Sequence, residues 1–259
     1  MPGFRSLSLY RFQTGATCRE TLPAGATIWR PVHSANAAFL GSARADAYYV
    51  VVLRAQTVPQ RPKSSHSRAT FVRVPGVCAR GPPAAEAQPI ESFAISWMPC
   101  KMELTPNRPL SEPGRNLDLP TSFEAVYAHC ECVSAFGPYQ IDEWLFCRAK
   151  GHLQELESGD VRYKTIDIGY LPLRVSNCIH ALTSFDREHA RVRIGRTNFG
   201  EVASYYVAET YWSHMIFSGQ NHPWIAEVLG LCQYPIKWRT IDEGRPHPSS
   251  ENSGRAASN

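Results

Sequence analysis

Runs of apolar and β-branched residues predict three strands in the first half of the chain. The stretch "DAYYVVVLRA" (Asp46–Ala55) is nearly all apolar, as expected of a buried strand. The stretches "ATFVRVPGV" and "ESFAISWMP" (Glu91–Pro99) predict a second and a third. The segments "VPQRPKSSHS" and "ARGPPAAEAQP" are rich in proline and small or polar residues, which predicts loops between the strands. We also expect a long loop over "TPNRPLSEPGRNLDLP", because its prolines interrupt regular structure.

The second half follows a helical period instead. "TSFEAVYAHC" predicts a helix that opens at Thr121, with Glu124 at the spacing of a capping box. Tyr139–Glu157 predicts the longest helix, since its apolar residues form one stripe: Ile141, Leu145, Ala149, Leu153 and Leu156. "NFGEVASYYVAETYW" and "HPWIAEVLGL" predict two further helices, and "YPIKWRTI" predicts a late strand.

This order of elements predicts an α+β fold, in which an antiparallel or mixed sheet from the first half is covered by helices from the second half. A doubly wound parallel sheet would need regular alternation of strands and helices, and no glycine-rich phosphate loop follows any predicted strand. We expect an irregular N-terminal segment (1–45), a single α+β domain (46–242) and a disordered tail (243–259) rich in Pro, Ser, Gly and Asn.

Composition narrows the classes of partner. The net charge is +4 and no run of Lys and Arg forms a basic patch, so we expect no nucleic-acid partner. No stretch of about 18 apolar residues occurs, so we expect no membrane span. The start "MPGFRSLSLYRFQTGATCRE" lacks the apolar core of a secretory signal, which favours a cytoplasmic location. In that reducing compartment we expect the eight cysteines to be mostly buried thiols.

The stretch "SNCIHALTSF" (Ser176–Phe185) carries the most specific chemistry in the chain. Ser176 or Asn177 can cap a helix there, which would place Cys178 in the first turn. The positive end of a helix favours a thiolate, the reactive form of cysteine. His180 lies two residues further on, so on a helix its side chain points about 200° away from that of Cys178.

"NCIHAL" (Asn177–Leu182) resembles the Asn-Cys-Glu-His-Phe signature of the lecithin–retinol acyltransferase family. That family belongs to the permuted papain-like thiol enzymes, which are related to the NlpC-type peptidases. The resemblance implies a permuted papain-like fold and acyl transfer or amide hydrolysis through a thioester on Cys178. It also implies a histidine on an earlier strand. Position 179 is Ile where the signature has Glu, and the early strand carries Tyr48 and Tyr49 but no histidine.

The general base is therefore sought elsewhere. His129, upstream of the cysteine, and His180 are the two candidates, and Asp167 is a candidate to orient a histidine. The alternative is a non-catalytic binding or scaffold domain of the same fold, in which Cys178 is buried. Four further histidines have no distinctive context: His152, His189, His214 and His222.

Three residues are candidates for binding a small-molecule or peptide substrate. Arg115, in the expected turn "EPGRN", can hold an anionic group with two hydrogen bonds. Tyr139 lies in the expected loop "FGPYQIDE", and Asn177 flanks the cysteine. We expect no cofactor.

A zinc site is the third possibility. "HCEC" brings His129, Cys130 and Cys132 together, and Cys147 adds another thiol. Structural zinc sites usually pair two such clusters, and the chain offers only one, so we expect no metal.

Overall fold

The computed structural model describes residues 45–57, 65–77, 90–102, 110–129, 132–166, 174–185, 200–216 and 221–241. All of them belong to one compact unit, Gly41–Asn259. The expected N-terminal segment up to residue 44 and the expected tail lie outside the described residues, as do Asp167 and His189. Within the described ranges, no helix is long and apolar enough to cross a lipid bilayer.

Strands and helices alternate irregularly along the chain. The strands are β1 (Ala45–Gln56), β2 (His66–Val77), β3 (Glu91–Ile95), β4 (Trp97–Pro99), β5 (Glu112–Asn116), β6 (Cys132–Ile141), β7 (Arg162–Tyr163), β8 (Val175–Ser176) and β9 (Ile236–Arg239). The helices are α1 (Leu119–His129), α2 (Glu143–Glu157), α3 (Cys178–Thr183), α4 (Gly200–Thr210) and α5 (Pro223–Val228).

The main sheet has five strands in the order β3-β2-β1-β6-β9. The pairs among β3, β2, β1 and β6 are antiparallel, whereas β6 and β9 are parallel, so the sheet is mixed. The predicted α+β class is therefore confirmed. The late strand predicted over "YPIKWRTI" is confirmed as β9, and the two halves of the chain are less segregated than expected because β6 also comes from the second half.

Both faces of the main sheet are covered, as the near-continuous apolar run of β1 requires. Val50 and Val52 point into a core shared with α2, α3 and α4, on what we call the α3 face. Val51 and Leu53 point to the opposite side, the α1 face, where α1 and α5 pack. This division decides which side chains can meet Cys178.

The strand β6 extends to Ile141, so the expected helical start at Tyr139 is wrong. Pairing shifts between Val50, opposite Tyr139, and Val52, opposite Phe136, so two residues of β6 face one of β1. This is a bulge, and Gly137 occupies it at φ +98°, where a Cβ would lie 2.8 Å from the Val50 carbonyl oxygen. The strand therefore continues through "GPY", and α2 begins only after Asp142.

The expected loop over residues 105–120 is also wrong in part, because Glu112–Asn116 forms β5. This strand pairs with β4 on one side and β7 on the other. The helix α1 begins at Leu119, before the expected Thr121, because Asp118 accepts the Thr121 backbone N–H at 2.8 Å. A second sheet, in the order β4-β5-β7-β8, results and leads directly into Asn177.

Candidate functional site

The helix α3 begins at Cys178, as the sequence predicts, and Asn177 rather than Ser176 caps it. The Asn177 side-chain oxygen accepts the backbone N–H groups of Ile179 and His180 at 2.9 and 2.8 Å. Its amide nitrogen donates to the Thr165 carbonyl at 3.4 Å. Asn177 is buried, so the cap fixes the start of α3 against the segment that follows β7.

The remainder of α3 is held on the main sheet. Ala181 and Leu182 are fully buried in the core of the α3 face. The Tyr211 hydroxyl donates to the Leu182 carbonyl, and the Thr183 hydroxyl donates to the Ile179 carbonyl at 3.1 Å. The later residues of α3 therefore fasten the helix to the main sheet.

Cys178 is partly exposed, contrary to the alternative in which it is buried. The broader expectation of buried thiols is also wrong for the described cysteines, because four others are exposed: Cys100, Cys132, Cys147 and Cys232. A partly exposed thiol on the first residue of a capped helix is accessible to reagents and lies next to the positive end of the helix.

His180 follows Cys178 on the same turn of α3. Its backbone N–H is bound by Asn177, and its carbonyl accepts the N–H of Ser184 at 2.8 Å. Its backbone is therefore fully part of the helix, which keeps the ring about 200° around the axis from the thiol.

The backbone of His129 lies far from Cys178 in the fold. His129 is the last residue of α1, which packs on the α1 face through Phe123 and Val126. Cys178 opens a helix on the opposite face of the same sheet. The main sheet therefore lies between the backbone of His129 and the proposed nucleophile, and the prediction that His129 is the general base does not fit this arrangement.

Several other histidines are engaged elsewhere in the fold. The buried His66 bonds the Ser96 hydroxyl at 2.9 Å, on the α1 face. His214 bonds the Asp142 carboxylate at 2.9 Å, and Trp144 stacks on its ring. His152 lies beside the last turn of α3, away from Cys178. These pairs join residues distant in sequence, so no local pattern could have predicted them.

Arg115 is exposed on β5, not in a turn. In the second sheet, Glu112 lies opposite Tyr163, and Tyr163 lies opposite Ser176. These three residues lie side by side across the sheet, and Cys178 follows Ser176 in the chain. Because β5 is antiparallel to β8, Arg115 lies three residues from Glu112 in the direction away from Cys178. The strand rise and spacing put roughly 15 Å between the two backbones. The structure therefore separates Arg115 from the cysteine.

Tyr139 is a core residue. Only 3% of its surface is exposed, and it belongs to the core of the α3 face together with Leu182. The expectation that it lies in a loop and binds substrate does not fit this position, because substrate arriving from solvent cannot reach a buried ring. Of the three predicted binding residues, only Asn177 adjoins the cysteine.

The "HCEC" cluster is only partly described. Cys132 begins β6 and its thiol donates to the Gln56 carbonyl at 3.5 Å, whereas Cys147 is on α2. Cys130 lies outside the described residues. Among the residues that the structure does describe, no three metal-binding side chains come together.

No family model, no curated protein and no solved structure matches this chain. Any functional conclusion therefore rests on the geometry around α3.

Replacing Asn177 tests whether the cap holds Cys178 in place. We expect Asn177→Ala to lower the free energy of unfolding by about 1 kcal/mol, because two helix N–H groups lose their acceptor. Asn177→Ser keeps an oxygen acceptor at the cap and should recover most of that loss. Urea unfolding measures both variants. Equal stability of the Ala and Ser variants would show that the cap contributes nothing.

Proposed function

We propose that this protein is a cysteine-dependent hydrolase or acyltransferase that acts on an amide or ester through a thioester on Cys178. The observation that supports it best is the placement of Cys178, a partly exposed thiol on the first residue of a helix that Asn177 caps. A cysteine that served only to fill the core would be expected in the buried part of the helix.

The start of α3 favours the thiolate. Partial positive charge accumulates where the first backbone N–H groups of a helix point outwards, and it stabilises an anion there. Asn177 accepts two of these N–H groups at 2.9 and 2.8 Å and holds the turn rigid, so the thiolate is favoured by the dipole of the helix and not by a direct bond to either group. A thiolate sustained in this way attacks without a base to remove its proton, which fits the separation of His129 from Cys178.

The chemistry has two steps. The Cys178 sulfur attacks the carbonyl carbon, and the oxygen that becomes negative lies near the positive end of α3. The bond from that carbon to the nitrogen or oxygen of the leaving group then breaks, the amine or alcohol leaves with a proton taken from solvent water, and a thioester remains on the sulfur. Water, or a second nucleophile, attacks the thioester, releases the acid or the transferred acyl group and restores the thiolate. His180, two residues further along the same turn, is our candidate for exchanging protons with solvent.

The alkylation rate of each cysteine by iodoacetamide, measured from pH 5 to 9 by peptide mass spectrometry, tests the proposal. Exposed cysteines in the same protein serve as controls: Cys100, Cys132, Cys147 and Cys232. We expect Cys178 to react at pH 6 at least tenfold faster than these four, although it is less exposed. A free thiol with a pKa of about 8.5 is almost wholly protonated at that pH.

Incubation of the protein with an activated acyl ester tests whether an acyl group is transferred to Cys178. We expect an acyl mass on the Cys178 peptide that hydroxylamine removes, and no such mass in a Cys178→Ala variant. If Cys178 reacts more slowly than all four exposed cysteines at every pH, the proposal fails. The non-catalytic binding or scaffold role would then be the better interpretation, with a half-buried rather than a buried cysteine.

A further inference from the structure

Three side chains at the other end of α3 form a continuous hydrogen-bonded series. The Ser184 hydroxyl lies 3.2 Å from Nε2 of His152. On the other side of the ring, Nδ1 of His152 lies 3.2 Å from Oε2 of Glu155. A serine, a histidine and a carboxylate joined through the two ring nitrogens is the arrangement by which enzymes activate a serine.

The histidine of this series is held in place. His152 and Glu155 are three residues apart on α2, so their side chains lie on the same side of that helix. The Phe185 ring packs against the imidazole with 5.6 Å between ring centres. Only 11% of the His152 side chain is exposed. Burial lowers the pKa of His152, which keeps its ring neutral and able to accept a proton at neutral pH.

The serine, in contrast, is accessible. Ser184 caps the C-terminus of α3 and is exposed, as is Glu155. Arg148 is one turn before His152 on α2, and its guanidinium donates to the Phe185 carbonyl at 3.1 Å. This places a permanent positive charge at the residue that follows Ser184, so the negative charge that develops on an ester carbonyl oxygen bound at Ser184 has a cation in its neighbourhood.

We propose that Ser184, His152 and Glu155 form a second reactive site, a serine esterase site for small carboxylic esters. The roles follow from the contacts. Ser184 is the nucleophile, His152 is the general base, and Glu155 orients the imidazole by accepting its Nδ1–H. Six residues of helix, about 9 Å along the axis, separate Ser184 from Cys178, so the two sites are distinct.

The side chains of Ser184 and His152 supply and receive every proton that the reaction moves, apart from those of water. As Oγ of Ser184 bonds to the ester carbonyl carbon, its proton passes to Nε2 of His152. The bond from that carbon to the alcohol oxygen breaks, and the alcohol takes the proton from His152. Water then attacks the acyl-serine, gives a proton to His152 and releases the carboxylic acid, and Ser184 recovers its proton.

A fluorophosphonate probe tests the proposal, because it modifies serines activated by a histidine. The full chain is incubated with the probe, and the modified residues are identified by peptide mass spectrometry. Ser158 is the internal control. It is exposed and also lies beside Glu155, but its hydroxyl donates to the backbone carbonyl of that residue at 2.8 Å and not to a histidine. We expect Ser184 to be modified at least tenfold faster than Ser158.

Two variants show whether Ser184 reacts because His152 activates it or only because its side chain is accessible to the probe. His152→Gln keeps a polar group near Ser184 but cannot accept the proton, and it should reduce the rate to that of Ser158. Glu155→Gln changes an exposed residue, so the fold should be retained while the rate falls severalfold. In parallel, Ser184→Ala should lower hydrolysis of p-nitrophenyl acetate.

Modification of Ser184 no faster than Ser158, or a rate unchanged in Glu155→Gln, would overturn the proposal. In that case His152 serves only to fasten α2 to the end of α3. The test is independent of the cysteine proposal, because alkylation reports on Cys178 and phosphonylation reports on Ser184.

Discussion

Acidification is expected to destabilise this protein by about 2 kcal/mol between pH 7 and pH 5 through His66 alone. The reason is that His66 is completely enclosed. Burial, reinforced by the nearby Arg68 guanidinium, lowers the pKa of His66 to about 3. In the unfolded chain the same imidazole has a pKa near 6.5, so below that pH the unfolded state binds a proton that the folded state does not.

The surroundings of His66 explain why the folded state cannot accept that proton. Nε2 bonds the Ser96 hydroxyl at 2.9 Å, and Nδ1 is buried without a hydrogen-bond partner among the described residues. Arg68 is 1% exposed, donates to the Ser122 hydroxyl at 2.8 Å and lies over the Phe123 ring. A second positive charge beside this guanidinium would find no counter-charge in these contacts.

The sign and the pH window follow from these two pKa values. Above pH 6.5 neither state is protonated at His66, so the residue contributes no pH dependence there. As the pH falls from 6.5 towards 3, the free energy of unfolding decreases by about 1.36 kcal/mol per pH unit, and by roughly 5 kcal/mol in all.

The matched variant is His66→Gln, whose amide reaches the Ser96 hydroxyl but does not titrate. Urea unfolding of both proteins at several pH values gives a difference curve in which the carboxylates, common to both, cancel. We expect the difference to change by about 2 kcal/mol between pH 7 and pH 5. Parallel curves for the two proteins would contradict the assignment and would mean that His66 takes up its proton in the folded state.

The parts of the fold that the sequence predicts are those with local signals. The strand β1 is correctly placed because eight of the ten residues in the run "DAYYVVVLRA" are apolar, and most of these are β-branched or aromatic, as expected of a buried strand. The start of α3 is likewise local, since an Asn before a helix is a strong cap. Cys178 could therefore be placed from its neighbours alone.

The failures involve contacts between distant residues. The strand β5 contains proline and glycine, which individually favour a turn, but its backbone is recruited by β4 and β7. The length of β6 depends on a bulge that fits against the carbonyl of Val50. The partners of the histidines, such as Asp142 for His214, are likewise set by folding. The general base could not be identified from the sequence, because the sequence does not show which face of the main sheet each histidine lies on.

The second sheet provides the other large effect, because Gly114 leaves room for a buried indole. Trp97 is 1% exposed, and β4 pairs with β5 so that Trp97 lies opposite Asn116, two residues from Gly114 on the same side of the strand. A Cβ at Gly114 would lie 2.1, 2.4 and 2.7 Å from three atoms of the Trp97 ring. These separations are far below van der Waals contact, and the enclosed ring has little space to retreat.

We therefore expect Gly114→Ala to lower the free energy of unfolding by about 3 kcal/mol, at the upper end of overpacking effects. Gly151→Ala is the control, because Gly151 is in the middle of α2 and a Cβ there meets no atom within 4 Å. That change should stabilise the protein by about 1 kcal/mol through helix propensity. Urea unfolding of the two variants should thus give shifts of opposite sign.

A double-mutant cycle identifies Trp97 as the cause. Trp97→Leu removes the ring atoms that Gly114→Ala would strike, and alone it should cost about 3 kcal/mol by leaving a cavity. In the Trp97→Leu background the clash is absent, so Gly114→Ala should lower the free energy of unfolding only slightly further. The double variant should therefore be more stable than the sum of the two single effects predicts. Additive losses would mean that β5 moves away from Trp97 instead. Since β5 pairs with β7, and β7 with β8, that movement would shift the start of α3 and alter the alkylation rate of Cys178.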